Sequence, residues 1–309
     1  MGNFEKTLRD IKYIKIQGAE NVAKAAVISF SEYAKNIKSK NEKTFLKQIG
    51  IARKRLLETR PTEPLMRNSL DYILENIKSK KTEKIALEIM ISSKKILEHF
   101  KKSEEVITEM GSRKIEKGMV VFTHCHSSTV MNILAKAAHK KKFEVHNTEA
   151  RPLLQGRKTA AELGKLGIKV THFVDSAARL ALKKSDIFLM GADAITSEGK
   201  VINKIGSELF AETAERYDIP VYVCSNSWKF DPKSVFGYRS PIELRPASEI
   251  WQRPKNVKVM NFAFERIDSE LITAIISELG IYQPGIFVEE VENNYPWLKC
   301  SKNLKKDLI

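Results

Sequence analysis

The chain has 309 residues, of which 42% are hydrophobic, and it carries a formal net charge of +15. This length suffices for two domains with ordinary cores, and the composition excludes a disordered or fibrous protein. No apolar run approaches the roughly 20 residues of a membrane span, and the N-terminus lacks the apolar segment of a secretory signal. The three cysteines form no even framework, which indicates reduced thiols and a cytoplasmic location.

The excess of lysine and arginine raises the question of nucleic acid binding. The basic residues divide about evenly between the two halves of the chain and occur as short lysine pairs on predicted helix faces. Since there is no Arg-rich arm and no recognisable nucleic-acid module, we interpret them as a solvated surface and expect no nucleic acid partner. Such a surface would also attract phosphorylated small molecules or an acidic protein.

Residues 1–112 predict a helical bundle, because apolar side chains recur there at helical spacing. The predicted helices cover residues 22–30, 45–58, 65–78 and 82–100. Breaks are predicted at residues 17–19 and 59–62, where Gly and Pro interrupt the pattern. The polar segment 102–117, which contains Gly111, is predicted to be the boundary with a second domain of residues 113–309.

From Gly118 onward, short apolar runs alternate with helical segments. The predicted strands are residues 119–122, 143–145, 170–174, 187–190, 221–223 and 257–264, and the predicted helices are 159–166, 177–183 and 207–217. This alternation predicts a doubly wound, mostly parallel, Rossmann-like α/β domain with helices on both faces of the sheet. In such a sheet, ligands bind outside the carboxyl ends of the strands.

Polar side chains follow five successive predicted strands. They include residues 124–129 after the first strand, Glu149, Arg151 and Gln155 after the second, Asp175 after the third, Asp193, Asn203 and Lys204 after the fourth, and Lys229 after the fifth. Together these residues describe a pocket with one thiol, several carboxylates, and basic side chains suited to phosphate.

Cys125 lies between a strand and a helix, where unpaired backbone N–H groups and the helix dipole favour a thiolate. Three other interpretations remain open. A zinc site with His124 and His126 lacks a second ligand pair. A cysteine hydrolase would need a histidine base such as His146 or His172, but neither histidine lies in a recognisable motif. A buried structural role is the common fate of a lone cysteine.

Asp193 either caps the following helix or acts as an acid. The wholly apolar strand before it predicts a partly desolvated carboxyl that holds its proton near neutral pH. A thiolate facing such an acid would be poised for proton transfer. Cys224, inside an apolar strand, is predicted to be a core residue, and Cys300 has no evident role.

Five motifs together resemble a known family. They are Thr-His-Cys-His-Ser at 123–127, Thr-Glu-x-Arg-Pro-x-x-Gln-Gly at 148–156, Asp-Ser-Ala-Ala at 175–178, Gly-Ala-Asp-x-Ile at 191–195 and Asn-Lys-Ile-Gly at 203–206. Their series and spacing resemble archaeal ribose 1,5-bisphosphate isomerase. That enzyme belongs with methylthioribose 1-phosphate isomerase and the alpha, beta and delta regulatory subunits of initiation factor 2B. The regulatory subunits typically lack the Cys/Asp pair, so the resemblance points to the enzyme branch.

The resemblance implies conversion of ribose 1,5-bisphosphate to ribulose 1,5-bisphosphate in nucleoside monophosphate degradation, such as AMP metabolism. It implies a cis-phosphoenolate path, in which Cys125 removes the C2 proton and Asp193 protonates the leaving ring oxygen, with no metal or organic cofactor. The substrate-binding residues it implies are Gln17, Gly18, Ala19, Arg60, Ser127, Ser128, Thr129, Arg151, Gln155, Asn203, Lys204 and Lys229.

The resemblance also implies a homo-oligomer, either a dimer or a hexamer. A second hypothesis from the same family is a non-catalytic sugar-phosphate- or nucleotide-sensing protein that binds the initiation factor 2 alpha subunit. Three positions depart from the family's pattern: Gln17 replaces Arg, Ser128 replaces Lys, and Glu63 replaces an apolar residue. Since a charge-assisted phosphate contact contributes about 1.5–3 kcal/mol, these changes predict a weaker grip on two phosphates.

Overall fold

The computed structural model of the protein describes residues 2–239, 241–252 and 254–300. Its first part contains helices α1 (Gly2–Lys12), α2 (Ala19–Lys35), α3 (Glu42–Thr59), α4 (Pro64–Glu75) and α5 (Thr82–Arg113). Local chemistry fixes their starts: the Asn41 side chain caps α3 by accepting from the Thr44 N–H at 2.9 Å, and Pro64 occupies the first turn of α4. Their apolar faces enclose one core, as the helical spacing predicts.

Helix α5 extends to Arg113, well into the polar segment 102–117 that we predicted to be the domain boundary. The segment is polar because only one face of the helix is buried, with Ser103, Ile107 and Gly111 on that face. Gly111 marks a helix contact: a Cβ added there would lie 2.5 Å from Cδ1 of Ile133 in α6 (Ser128–Ala138). The division into domains of residues 1–112 and 113–309 stays a prediction.

The second part alternates strands and helices. Its strands are β1 (Val120–Thr123), β2 (Glu144–Thr148), β3 (Lys169–Phe173), β4 (Ile187–Met190), β5 (Ala194–Ile195), β6 (Val201–Lys204), β7 (Val221–Cys224), β8 (Phe264–Ile267), β9 (Ala274–Ser277) and β10 (Gly280–Tyr282). Its helices after α6 are α7 (Gln155–Lys165), α8 (Ala178–Leu182), α9 (Ser207–Glu215), α10 (Pro284–Asn294) and α11 (Trp297–Cys300). Within the described ranges, no helix is long and apolar enough to cross a membrane.

Within the described part of the chain, the main sheet has seven strands in the order β10-β9-β7-β4-β1-β2-β3. All neighbours are parallel except β10 and β9. The chain runs outward from β1 through β2 to β3 and then returns to place β4 on the other side of β1. This reversal is a topological switch point, and it opens a crevice at the carboxyl ends of β1 and β4. The doubly wound sheet that the apolar runs predict is confirmed.

A small antiparallel sheet, β5-β6-β8, stands beside this crevice. The predicted strand at 257–264 is mostly wrong, because regular pairing begins only at Phe264. Before it, Met260 and Phe262 are largely exposed, and Phe262 forms only an isolated bridge with Leu244. Apolar side chains there face solvent, so their pattern gave a false strand signal.

Buried polar contacts join the helical part to the sheet. Arg67 Nη2 of α4 donates to Asp231 Oδ1 at 2.5 Å, and both side chains are buried. Asn68 Nδ2 donates to the carbonyls of Trp228 and Phe230, each at 2.8 Å. Since these groups lie away from water, separating the two parts would leave them unpaired at high cost. The contacts hold the helical part over the crevice.

An aromatic cluster lies at the same junction. Trp228 is 4% exposed, and its ring centroid lies 4.4 Å from that of His99 in α5 and 5.3 Å from that of Tyr72 in α4. Trp297 of α11 packs edge-on against the same indole, with 5.0 Å between ring centroids. Helices from both ends of the chain therefore meet on one side chain.

We expect Gly111→Ala to lower the free energy of unfolding by about 1–3 kcal/mol, because the added methyl overpacks the α5–α6 contact. Gly50→Ala is the matched control, since Gly50 lies exposed inside α3 with nothing within 4 Å of an added Cβ. It should raise the stability by about 0.5–1 kcal/mol through helix propensity. Urea denaturation measures both; equal effects would contradict the contact.

Candidate active site

A cavity occupies the crevice where β1 and β4 end, with the helical part closing it from above. Ten of the residues proposed from the sequence line it: Gln17, Gly18, Arg60, Cys125, Ser127, Ser128, Gln155, Asp193, Asn203 and Lys204. They come from the turn before α2, the end of α3, the turns after β1 and β4, the start of α7, and strand β6. The fold therefore brings widely separated motifs into one site.

The other four proposed binding residues are not among the residues that line the cavity. Ala19 and Thr129 are buried in the first turns of α2 and α6, and Lys229 is buried with its Nζ donating to the Ala192 carbonyl at 2.6 Å. Arg151 does not line this cavity among the described residues, and its role in binding stays a prediction. The Arg151 side chain is exposed, and its backbone N–H donates to Asp175 Oδ2 at 2.7 Å.

Cys125 sits in a tight turn directly after β1. Its φ is 65°, in the left-handed region that a non-glycine residue adopts only when its surroundings impose it. The Cys125 carbonyl accepts from the Thr159 hydroxyl of α7 at 2.8 Å, and that hydroxyl also bonds His126 Nδ1 at 3.0 Å. Helix α7 thus anchors the strained turn and fixes the thiol at the crevice.

Gly191 allows the turn after β4 to touch the turn after β1. A Cβ at Gly191 would lie 2.7 Å from Ser127 Oγ, which itself caps α6 by accepting from the Val130 N–H at 3.4 Å. Any larger residue at position 191 would push the two turns apart. This close approach is what places Cys125 and Asp193 in the same cavity.

Burial dominates the protonation of both groups. It raises the pKa of the Cys125 thiol, and the Lys204 ammonium opposes this only in part. The thiolate expected from the helix terminus is therefore not favoured, because desolvation outweighs the positive groups. Burial also raises the pKa of the Asp193 carboxyl against the cations of Lys229, Lys204 and Arg60. Asp193 thus holds its proton more readily than a free carboxyl, in the direction the sequence predicts.

His124, the residue before Cys125, has a structural role. Burial lowers the pKa of His124 to about 4, so the ring is neutral. Its Nε2 lies 3.0 Å from the Ile205 carbonyl and must donate, so Nδ1 accepts from the Thr148 hydroxyl at 2.6 Å. With both nitrogens engaged, the ring is not free to ligate zinc or to accept a proton. Among the described residues, no group of three or more His, Cys, Asp or Glu side chains is arranged to hold a metal ion.

The bases considered for a cysteine hydrolase lie elsewhere. His146 is buried, with its Nδ1 3.0 Å from the Ala181 carbonyl, and the His172 Nδ1 lies 3.0 Å from Asn147 Oδ1. Neither residue lines the cavity in the described part of the chain. Cys224 is fully buried in β7, where burial raises the pKa of its thiol to about 12, so its predicted core position is confirmed.

A chain of alternating charges closes one side of the cavity. Arg60 Nη2 lies 2.7 Å from Glu63 Oε1 and 3.9 Å from Glu243 Oε2, and Arg245 Nε donates to Glu243 Oε1 at 3.1 Å. Glu63 is 2% exposed, and burial raises the pKa of its carboxyl to about 7 despite the Arg60 charge. The negative charge beside Arg60 therefore depends on pH near neutrality.

The sequence reasoning missed several lining residues, among them Asn21, Lys158, Arg245 and Phe264. Lys158 lies three residues after Gln155 on α7, so helical spacing could have revealed it. Arg245 follows an irregular segment, and Phe264 opens a strand whose start was misplaced. No local pattern marks either of them.

The fold and cavity define a Rossmann-like protein with a small-molecule site at its switch point. Residues 15–284 match the Initiation factor 2 subunit family, and the chain belongs to that family.

Ribose 1,5-bisphosphate isomerase of Thermococcus kodakarensis is 36% identical over 299 residues, which cover 93% of each chain. Methylthioribose-1-phosphate isomerase of Pelotomaculum thermopropionicum is 32% identical, over 89% of this chain and 81% of that one. The crystal structure of Pyrococcus horikoshii translation initiation factor eIF-2B superimposes with a TM-score of 0.81 at 27% identity, covering 92% of this chain and 98% of that one.

We expect Cys125 to react with iodoacetamide with a pH midpoint above about 8.5, the ordinary value for a cysteine thiol, because burial disfavours the thiolate. Lys204→Gln should raise the midpoint further, since it removes the cation that lowers the pKa of this thiol. Mass spectrometry of the alkylated peptide gives the rate at Cys125 alone. Lys183→Gln, an exposed lysine outside the cavity, should leave it unchanged; a midpoint below 8 would show that the helix terminus prevails.

Proposed function

We propose that this protein is a sugar-phosphate isomerase that converts ribose 1,5-bisphosphate to ribulose 1,5-bisphosphate in nucleoside monophosphate degradation. The observation that carries the proposal is that Cys125 and Asp193, from adjacent strands, line one cavity together with Arg60 and Lys204. The names of the relatives that span nearly the whole chain support the same reaction class.

In the proposed mechanism, the Cys125 sulfur accepts the proton from C2 of the ribose ring. The C–H electron pair forms the C1–C2 double bond, the bond from C1 to the ring oxygen breaks, and Asp193 protonates that oxygen. The product is an open-chain cis-phosphoenolate. The proton on sulfur then returns to C1 and the C2 hydroxyl proton restores Asp193, which leaves a ketone at C2.

The electrostatics of the site suit these roles. Asp193 must carry a proton before the reaction, and burial raises the pKa of its carboxyl. Cys125 must lose its proton first, and the buried thiolate that results is a strong base because water does not stabilise it. Lys204 favours that thiolate and is itself buried. The proposal needs no metal or organic cofactor.

For substrate binding, we propose two groups of contacts. Arg60 and Lys204 supply charge, while Gln17, Gly18, Gln155 and Asn203 supply hydrogen bonds. Helix α6 begins at Ser128, which lines the cavity, so we propose that the backbone N–H groups of Ser128 and Thr129 receive a phosphate. Lys229 bonds the carbonyl of the residue before Asp193, and the predicted binding roles of Lys229, Ala19 and Thr129 stay predictions.

We also propose a cytoplasmic homo-oligomer, either a dimer or a hexamer. Supporting this, Phe236, Leu244, Trp251 and Phe262 are each at least 42% exposed within one stretch of the chain. Large apolar side chains that cluster on a surface commonly mark a protein interface. Light scattering that gives a monomer mass would contradict the proposal.

A second candidate function is a non-catalytic sugar-phosphate- or nucleotide-sensing protein that binds the initiation factor 2 alpha subunit. The observation that favours it is the structural match to P. horikoshii eIF-2B. The presence of both Cys125 and Asp193 in the cavity favours the isomerase, because a sensor has no need of a base and an acid.

We expect purified protein to form ribulose 1,5-bisphosphate from ribose 1,5-bisphosphate, and Cys125→Ser and Asp193→Asn each to lower kcat by about 10²–10⁴-fold. A coupled assay for the ketose product measures the rate. Cys224→Ser is the matched control for the thiol, because Cys224 lies in the core outside the cavity.

Inactivity of the wild-type protein on every ribose 1-phosphate tested would contradict the isomerase proposal. If the same inactive protein also co-purified with the initiation factor 2 alpha subunit at low salt, the second candidate would replace it. Activity that survives Cys125→Ser would leave the isomerase in place and remove Cys125 from the mechanism.

We expect the affinity for ribose 1,5-bisphosphate to fall roughly three- to tenfold between pH 6.5 and 8.5. Below pH 7 the Glu63 carboxyl is neutral and Arg60 can pair with phosphate; above it the carboxylate retains Arg60. Glu63→Gln should remove this decline and bind more tightly at pH 8.5. Calorimetry with Cys125→Ser protein gives the affinities without turnover; an equal decline in Glu63→Gln would show that another group titrates.

A further inference from the structure

We propose that Arg245, together with Lys204 over the Phe264 ring, forms a binding subsite for the second phosphate of a doubly phosphorylated sugar. This inference rests on the proposed function for the identity of the ligand, but its central residue, Arg245, lies outside the sequence motifs. Arg245 would thereby decide whether the cavity prefers a bisphosphate or a monophosphate.

The Arg245 side chain is built into the wall of the cavity. It is 6% exposed, and its Nη1 finds no hydrogen-bond partner in the described part of the chain. The Arg245 N–H donates to the Asn261 carbonyl at 2.9 Å, and the Ala263 N–H donates to the Glu243 carbonyl at 3.0 Å. These bonds tie the segment to the chain just before β8, so the backbone of Arg245 is fixed before any ligand arrives.

A buried guanidinium with an unpaired N–H is costly unless an anion satisfies it. Glu243 already accepts from Arg245 Nε, but that bond leaves the Nη1 edge of the guanidinium without an acceptor. Since Arg245 lines the cavity, the group that completes its hydrogen bonds is expected to come from the ligand. A phosphate, with its several oxygens, suits the planar fork of arginine.

A second cation converges on the same place. Lys204 Nζ lies 5.0 Å from the centroid of the Phe264 ring, and the Arg245 guanidinium carbon lies 6.0 Å from it. Lys204 and Phe264 are direct neighbours across β6 and β8, which fixes this arrangement through the backbone. A phosphate bound beside this ring would be attracted by both buried cations.

Arg60 lies on the same side of the cavity but is less suited to a second phosphate, because it has a carboxylate partner of its own. Arg60 Nη2 lies 2.7 Å from Glu63 Oε1, and above neutral pH the ionised Glu63 carboxyl cancels the charge of Arg60. Arg245 instead shares Glu243 with Arg60, whose Nη2 is 3.9 Å from Glu243 Oε2. The wall with Arg245 and Lys204 therefore carries the net positive charge that a phosphate requires.

The test uses Cys125→Ser protein, so that binding is measured without turnover, and calorimetry with ribose 1,5-bisphosphate, ribose 1-phosphate and ribose 5-phosphate. Adding Arg245→Gln should weaken bisphosphate binding by about 10- to 100-fold, the cost of one charge-assisted phosphate contact. One of the two monophosphates should weaken by a similar factor, and the other by less than threefold.

Arg216→Gln is the matched control, since it removes the same charge from an exposed position at the end of α9. It should change every affinity by less than twofold. Arg245→Lys keeps the charge but loses the fork, so it should weaken bisphosphate binding about three- to tenfold. This variant decides the matter if Arg245→Gln does not fold.

Unchanged bisphosphate affinity in the Arg245 variants, or an equal loss for both monophosphates, would overturn the subsite. These outcomes are separate from the test of the reaction. A wild-type protein that fails to form ribulose 1,5-bisphosphate, yet binds the bisphosphate through Arg245, would refute the isomerase and retain the subsite.

Discussion

The cavity exists because α4 is fixed to the segment after β7 by buried polar contacts. Arg67 and Asn68 pair with Asp231 and with two backbone carbonyls where water cannot replace them. A purely apolar contact would allow the helical part to slide, whereas these directional bonds permit one register. Only in that register does Arg60, just before α4, reach the turns that follow β1 and β4. The geometry of the site therefore depends on the contacts between α4 and the segment after β7 as well as on the sheet.

The sequence could predict the elements whose burial leaves a local pattern. The strands at the centre of the sheet are short apolar runs, so the parallel sheet and the placement of Cys125 and Asp193 at the carboxyl ends of its strands followed from the alternation with helices. Arg245 could not be found this way, because it is positioned by backbone bonds to a distant irregular segment. The misplaced strand before Phe264 has the same origin: apolar side chains there are exposed, and composition does not report which face is covered.

Charge within the cavity follows from three-dimensional burial more than from the count of basic residues. The helix terminus next to Cys125 is a local feature that the sequence shows, but the desolvation that outweighs it depends on how the rest of the fold packs around the thiol. Glu63 gives the same lesson in reverse. In the sequence, Glu63 counts as one negative charge against the basic residues of the site. In the fold, Glu63 is a buried partner of Arg60, and the charge of the Glu63 carboxyl varies near neutral pH.

The stacking of Trp228 on His99 has a practical consequence. Trp228 immediately precedes Lys229, whose ammonium bonds the residue before Asp193, and its indole touches helices from both ends of the chain. Of the three tryptophans, Trp251 is half exposed, so its emission reports mainly on solvent. The fluorescence emission of Trp228 instead depends on whether α4 and α5 stay packed against its indole ring. The protein thus contains its own fluorescent reporter of cavity assembly, one residue from the lysine that braces the acid.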